Sequence, residues 1–181
     1  MLSPETRSAL LSHATEHLLC HLRDEPTPEP PHGGEFNIQA PVFVTLRSRG
    51  ELRGCIGNLN PTMPLGECVG KTAIESATSD PRFPPVKLGE IESLSLEISV
   101  LTERTRTQRD EIVVGKHGVC IESVGRRALL LPQVATEYGL TVEQFLAMVC
   151  RKAGLPNSAW TRPDVLLETF EAEVFSVDHV V

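Results

Sequence analysis

The residues with the most chemical potential in this chain lie in the run Leu52-Arg53-Gly54-Cys55-Ile56-Gly57. The run reads as a strand, where side chains two apart share a face, so Arg53 and Cys55 are expected to project together. A nearby guanidinium favours thiolate over thiol, and the thiolate is the reactive form. Gly54 and Gly57 leave room for a second backbone or a ligand to come close. The pattern allows a thiol nucleophile, or an anion-binding edge in which Arg53 holds a negatively charged group. It equally allows a small cysteine packed in a strand, with Arg53 paired to a surface acid.

Three further residues belong with these candidates. Glu97 sits between Ser95 and Ser99 on the polar side of an otherwise apolar strand. It is either a counter-ion for Arg53 or a solvated residue on an open sheet face. Asp80 and Arg82 fall in Asp80-Pro81-Arg82-Phe83-Pro84-Pro85, where three prolines fix the backbone at low entropic cost and so suit positioning. Phe83 in the same run reads as a core plug.

Other chemically suggestive residues read as structural. His13, His17 and His21 recur every fourth residue. Adjacent pairs suit a shared metal, but His13 and His21 would lie about 12 Å apart along a helix axis. Zinc–nitrogen bonds of about 2 Å cannot bridge that gap. The three lie off the apolar stripe, so a solvated helix face is expected and no metal site is assigned. His117, between Gly115-Lys116 and Gly118, reads as a turn residue. Gly70-Lys71-Thr72 resembles the end of a phosphate-binding loop, but the motif needs a glycine at position 65, which is leucine. No cofactor site follows from it.

The elements that must position these groups follow from periodicity. Ser3 as N-cap, Pro4 at the first turn, and Leu11, Ala14, Leu18 and Leu22 at helical spacing predict a helix to Leu22. Residues 23–35 hold four prolines and two glycines and read as a surface loop. Val42 to Leu46 and Glu51 to Gly57 form a predicted hairpin around Ser48-Arg49-Gly50. Leu65, Cys68, Val69, Thr72, Ala73 and Ala77 make a second helical stripe. Leu94, Leu96, Ile98 and Val100 alternate as a strand. Ile112 to Val114, a turn, and Val119 to Glu122 read as another hairpin, and Ala128 to Leu131 as a short strand. Thr141 with Gln144 is a capping-box pattern for a helix that Gly154 stops. Phe170 to Phe175 reads as one closing strand. Hairpins without strict β-α-β alternation predict an antiparallel or mixed α+β fold flanked by helices.

Composition bounds the function. The chain has 181 residues with ordinary hydrophobic and charged fractions, enough for one sizeable core or two small lobes. Its 17 basic and 24 acidic residues give a formal charge of −7, which argues against nucleic acid as the main partner. Five widely spaced cysteines fit neither a disulfide framework nor a zinc finger. With no signal-like start and no bilayer-length apolar run, a reducing cytoplasm is expected.

Six segments, in order, resemble the AMMECR domain family, called AMMECR-one or, in prokaryotes, AmmeMemoRadiSam system protein A. They are Leu52 to Gly57, Ser79 to Pro85, Leu96-Glu97-Ile98-Ser99-Val100-Leu101-Thr102, Gly115-Lys116-His117-Gly118, Leu131-Pro132-Gln133-Val134-Ala135, and Cys150-Arg151-Lys152-Ala153-Gly154-Leu155-Pro156. Leu140 departs from the tryptophan expected there. The resemblance implies one domain over 1–181, with its motif core at 36–177. It further implies a two-lobed fold with a cleft between the lobes near the Arg-Gly-Cys-Ile-Gly strand. As partners it implies a Memo-like protein and a radical S-adenosylmethionine protein. It brings no agreed activity and no catalytic residues. An accessory, partner-binding role ranks first. An enzyme using the Cys55 thiolate, with Arg53 holding an anionic substrate, ranks second. A nucleic-acid regulator fits the charge poorly.

Overall fold

The computed structural model describes residues 1–180. In chain order the elements are α1 (Pro4–Leu22), β1 (Val42–Ser48), β2 (Glu51–Asn58), α2 (Leu65–Thr78), β3 (Leu94–Leu101), β4 (Thr105–Arg106), β5 (Gly118–Ser123), β6 (Arg126–Leu130), α3 (Pro132–Glu137), α4 (Val142–Lys152), β7 (Leu166–Phe170) and β8 (Ala172–Val177). They form two four-stranded sheets, ordered β2-β1-β3-β8 and β4-β7-β5-β6, in an α+β fold whose registered pairings are antiparallel. The chain divides into two compact units. One comprises Met1–Val100 with the segment from Glu173 onward, and the other is Leu101–Ala172.

In the first unit, alternation along the strands decides which side is dry. Val42, Val44 and Leu46 of β1 and Leu94, Leu96 and Ile98 of β3 are fully buried and share one core with Leu10, Ala14 and Leu18 of α1 and Leu65, Val69 and Ala73 of α2. Each such Val, Leu or Ile side chain contributes about 1.5–3 kcal/mol relative to exposure. The proline-rich loop closes on Gly66 through Pro31 O, and the two helices meet at Gly70, where an added Cβ would fall 2.7 Å from His17 Nδ1 and 2.9 Å from His13 Nε2.

That contact corrects two expectations about α1. Its buried stripe runs through Leu10, Ala14 and Leu18, while Leu11 and Leu22 are only half-buried. His13 and His17 are not on a solvated face but buried, with ring centroids 4.2 Å apart. The residues of 23–35 supply part of the cover, since His17 Nε2 lies 2.9 Å from Pro28 O. Among the described residues, His13 Nε2 and His17 Nδ1 have no hydrogen-bond partner. Burial first, and then His17, depress the His13 pKa from 6.5 to about 4. Only His21 remains exposed. Among the described residues no group of three or more His, Cys, Asp or Glu is placed to hold a metal.

In the second unit, α4 begins at the expected box. Thr141 Oγ1 accepts from Gln144 N–H, and Gln144 Oε1 accepts from Thr141 N–H. Phe145, Leu146, Val149 and Cys150 of α4 bury against Val119, Ile121 and Leu167.

The strands here depart from expectation in two places. Ile112 to Val114 is not a strand. Ile112 N–H closes a 3-10 turn on Arg109 O, Val113 O accepts from Lys116 and His117 N–H, and His117 Nδ1 accepts from Val113 N–H. The backbone groups needed for a ladder are used locally, and β5 pairs with β6 instead. The turn between them places Val124 at φ 50° and Gly125 at φ 72°. The closing strand also divides into β7 and β8, one in each sheet. Thr102 causes the break at Glu171: its N–H donates to Glu171 O at 3.0 Å, and its Oγ1 accepts from Glu171 N–H at 2.9 Å. Pro132 opens the short helix α3 rather than ending a strand, as suits proline in a first turn.

Candidate functional site

β2 is an edge strand, so one side of its backbone has no strand partner. Such edges are liabilities unless covered. Here the cover is the segment after α2. Asp80 Oδ2 accepts from Cys55 N–H at 2.9 Å, and Arg82 Nη2 lies 3.5 Å from Cys55 O. Asp80 therefore substitutes for a missing strand at the middle of β2.

Asp80 is buried and accepts four hydrogen bonds in all. Besides Cys55 N–H they come from Arg82 N at 3.0 Å, Nε at 2.9 Å and Nη2 at 2.6 Å. The hydrogen bonds from the Arg82 side chain are the main cause that holds the carboxyl far below the usual carboxylate range, outweighing the opposing cost of burial. The same pairing, aided by the nearby Cys55, raises the Arg82 pKa. Arg82 also lies over the Phe83 ring, 5.5 Å from its centroid. Its side chain stays more than half exposed.

Arg53 takes a different path from the one expected. The register between β1 and β2 slips between Leu46 and Arg47, pairing Leu46 with Gly54 and Arg47 with Leu52. Arg53 is thus the extra residue of a bulge, a device that re-aims a side chain. Its Nε and Nη2 donate to Glu90 Oε2 and Oε1 at 2.8 and 3.1 Å, and Nη1 donates to Pro84 O at 2.8 Å. Glu90 is its counter-ion, not Glu97, and Arg53 lowers the Glu90 pKa. The guanidinium beside Cys55 belongs to Arg82.

Cys55 is half-buried, and Thr45 Oγ1 donates to its sulfur at 3.3 Å. Thr45 pairs with Cys55 on one side and Glu97 on the other, so sulfur, hydroxyl and carboxylate form a row across β2, β1 and β3. The sheet face carrying this row is opposite the one packed on the helices. Glu97 is half-buried there.

The two glycines serve packing. A Cβ at Gly54 would stand 2.0 Å from Ser76 O of α2, and one at Gly57 would strike the Phe43 ring at 2.2 Å. Ser76 is a residue that periodicity did not single out. Its Oγ lies 2.8 Å from Val44 O and accepts from Ile56 N–H at 3.1 Å, tying helix to strand. Glu90 was also missed, because nothing local marks a glutamate in a 3-10 turn as the partner of an arginine 37 residues away.

Comparison with known proteins agrees with this architecture. The AMMECR1 family model matches residues 11–175. A protein of Methanothermobacter thermautotrophicus is 43% identical over 150 residues, covering 79% of this chain and 78% of its own. One from Thermococcus onnurineus is 42% identical over 176 residues, covering 88% and 84%. The crystal structure of the uncharacterized protein PH0010 from Pyrococcus horikoshii superposes with a TM-score of 0.92 at 38% identity, covering 98% of this chain and 94% of that one. With its motifs, its fold and its relatives in agreement, this chain belongs to the AMMECR1 family.

Proposed function

We propose that this protein is an accessory component that binds partner proteins through the ridge 81–88, clamped on the edge of β2. The supporting observation is that the strongest charges of the site are consumed in holding that ridge. Arg53 grips Glu90 and Pro84 O, and Asp80 grips Cys55 N–H and Arg82. Pro81, Arg82, Pro84, Pro85, Lys87 and Leu88 are left facing solvent. A ridge already fixed by ion pairs and prolines loses little entropy on docking, so more of its contact energy appears as affinity. The family resemblance supplies the expected partners, a Memo-like protein and a radical S-adenosylmethionine protein, acting in the cytoplasm. No helix among the described residues is long and apolar enough to cross a membrane.

A pull-down of the two partners from the same organism tests this. Wild type is expected to retain at least one of them, and Leu88→Asp, which puts a charge at a 49% exposed apolar position, is expected to lose it. Equal capture by both proteins would remove the ridge from the account.

One observation favours a second function. The half-buried Cys55 sulfur accepts a hydrogen bond from the Thr45 hydroxyl and Arg82 lies at the Cys55 carbonyl, which supports a reading as a thiolate acting on an anionic substrate. In this form Arg82 rather than Arg53 holds the anion. Titrating Cys55 with a thiol probe against pH, in wild type and Arg82→Ala, decides it. A thiol as slow as a free cysteine in both would exclude the enzyme.

A further inference from the structure

We propose that the Leu101–Ala172 unit carries a separate binding site for a small aromatic anion, a single-ring carboxylate or phosphate monoester. The site is the hollow of about 320 Å³ between the exit of β4 and the entry of β7. It lies well within one unit and shares no residue with the β2 edge.

The hollow has a built floor and a built rim. Trp160, Val165 and Leu166 line the floor, while Leu167, next to Leu166 on β7, belongs to the core against which Trp160 and Val165 pack. The rim is the segment Arg106 to Arg109, which leaves the sheet just after two residues of pairing. Thr107 N–H donates to Leu167 O at 3.1 Å, while Glu111 Oε2 accepts from Gln108 N–H at 2.8 Å and from Thr107 Oγ1 at 3.1 Å. Arg109 is taken by Glu143 of α4. The rim is therefore set before any ligand arrives.

What remains unspent defines the ligand. Glu168, the register partner of Arg106, has its carboxylate 3.9 Å from Arg104 Nε. Arg106 has no carboxylate partner among the described residues, and the indole N–H of Trp160 makes no hydrogen bond among them. A free guanidinium calls for a carboxylate or phosphate. A half-buried indole and aliphatic floor call for a flat apolar body, with stacking on the ring. The volume lies at the low end of small-molecule pockets, which selects one ring rather than a dinucleotide. The unit also holds nine basic and nine acidic residues and so has no net formal charge, whereas the whole −7 resides in the other unit.

Trp160 is the only tryptophan, so its fluorescence in the full chain reports this hollow alone. Benzoate and phenyl phosphate are titrated as probes, with benzyl alcohol and inorganic phosphate as the half-ligands. A saturable change with at least one probe, weakened tenfold or more by Arg106→Met and unmoved by Cys55→Ser, is expected. Circular dichroism confirms that Arg106→Met is folded. No saturable change up to 10 mM of either probe overturns the proposal. So does binding of equal strength by Arg106→Met, by benzyl alcohol, or by inorganic phosphate alone.

Discussion

Lowering the pH should loosen this protein well before its carboxylates are titrated, and His13 is the reason. Its ring is buried against α2, its Nε2 has no hydrogen-bond partner among the described residues, and its pKa is depressed from 6.5 to about 4. A group whose folded pKa is depressed binds protons more readily when unfolded, so stability is fully present above the unfolded value and is lost as pH falls. Integrating between the two values gives a loss of about 2 kcal/mol by pH 5 and about 3 kcal/mol by pH 4. Glu35, Asp80 and Glu90 have lowered pKa values, from ordinary values of 4.5, 3.8 and 4.5, so their losses come below pH 4.5. The window from pH 6.5 to 5 therefore belongs to His13 among the groups shifted in the native state. Urea unfolding at pH 7, 6 and 5 should show the loss in wild type, and His13→Leu should remove it. An unchanged slope in His13→Leu, or an imidazole that titrates at 6.5 or above by NMR, would mean that His13 is not the source of the acid loss. The latter would mean that the imidazolium shares its proton with His17 Nδ1, one turn further along α1.

Three substitutions test the remaining geometry. Gly54→Ala drives a methyl group against the fixed carbonyl of Ser76, 2.0 Å away, and should cost about 3 kcal/mol in chemical unfolding. Asp80→Ala leaves Cys55 N–H unpaired at the β2 edge, and a loss of about 2–3 kcal/mol is expected, discounted for the half-exposed Arg82. Val124 has φ of 50° and is 86% exposed, so Val124→Asn relieves backbone strain at no packing cost and should raise stability by about 1 kcal/mol, seen as a Tm a few degrees higher.

The sequence made the elements legible wherever a local rule governed. Ser3 and Pro4 marked the start of α1, Thr141 and Gln144 the start of α4, and strict alternation the whole of β3. It failed where a distant group decided. Nothing near Glu171 signals that Thr102 interrupts the strand there, and Val124 is a poor residue for the turn it occupies. His13 and His17 look like a polar face because their cover, Gly70 and Pro28, comes from other segments. At the site, residue types pointed to the right neighbourhood but not to the pairing. Asp80 and Arg82 do meet Cys55, yet the bulge at Arg53 turns that guanidinium to Glu90. A one-residue register slip is invisible to period-2 reasoning.

If the ridge 81–88 is fixed in advance for a protein partner, loosening it should weaken docking. Calorimetric titration of the Memo-like and radical S-adenosylmethionine proteins into wild type and Arg53→Ala measures it directly. Arg53→Ala frees the ridge from Glu90 and Pro84 O without altering its outward face, so its affinity should fall about tenfold for the cost of re-ordering a few side chains and backbone bonds. Equal affinities, or no heat from either partner with wild type, would mean that the ridge is not a preorganised docking surface.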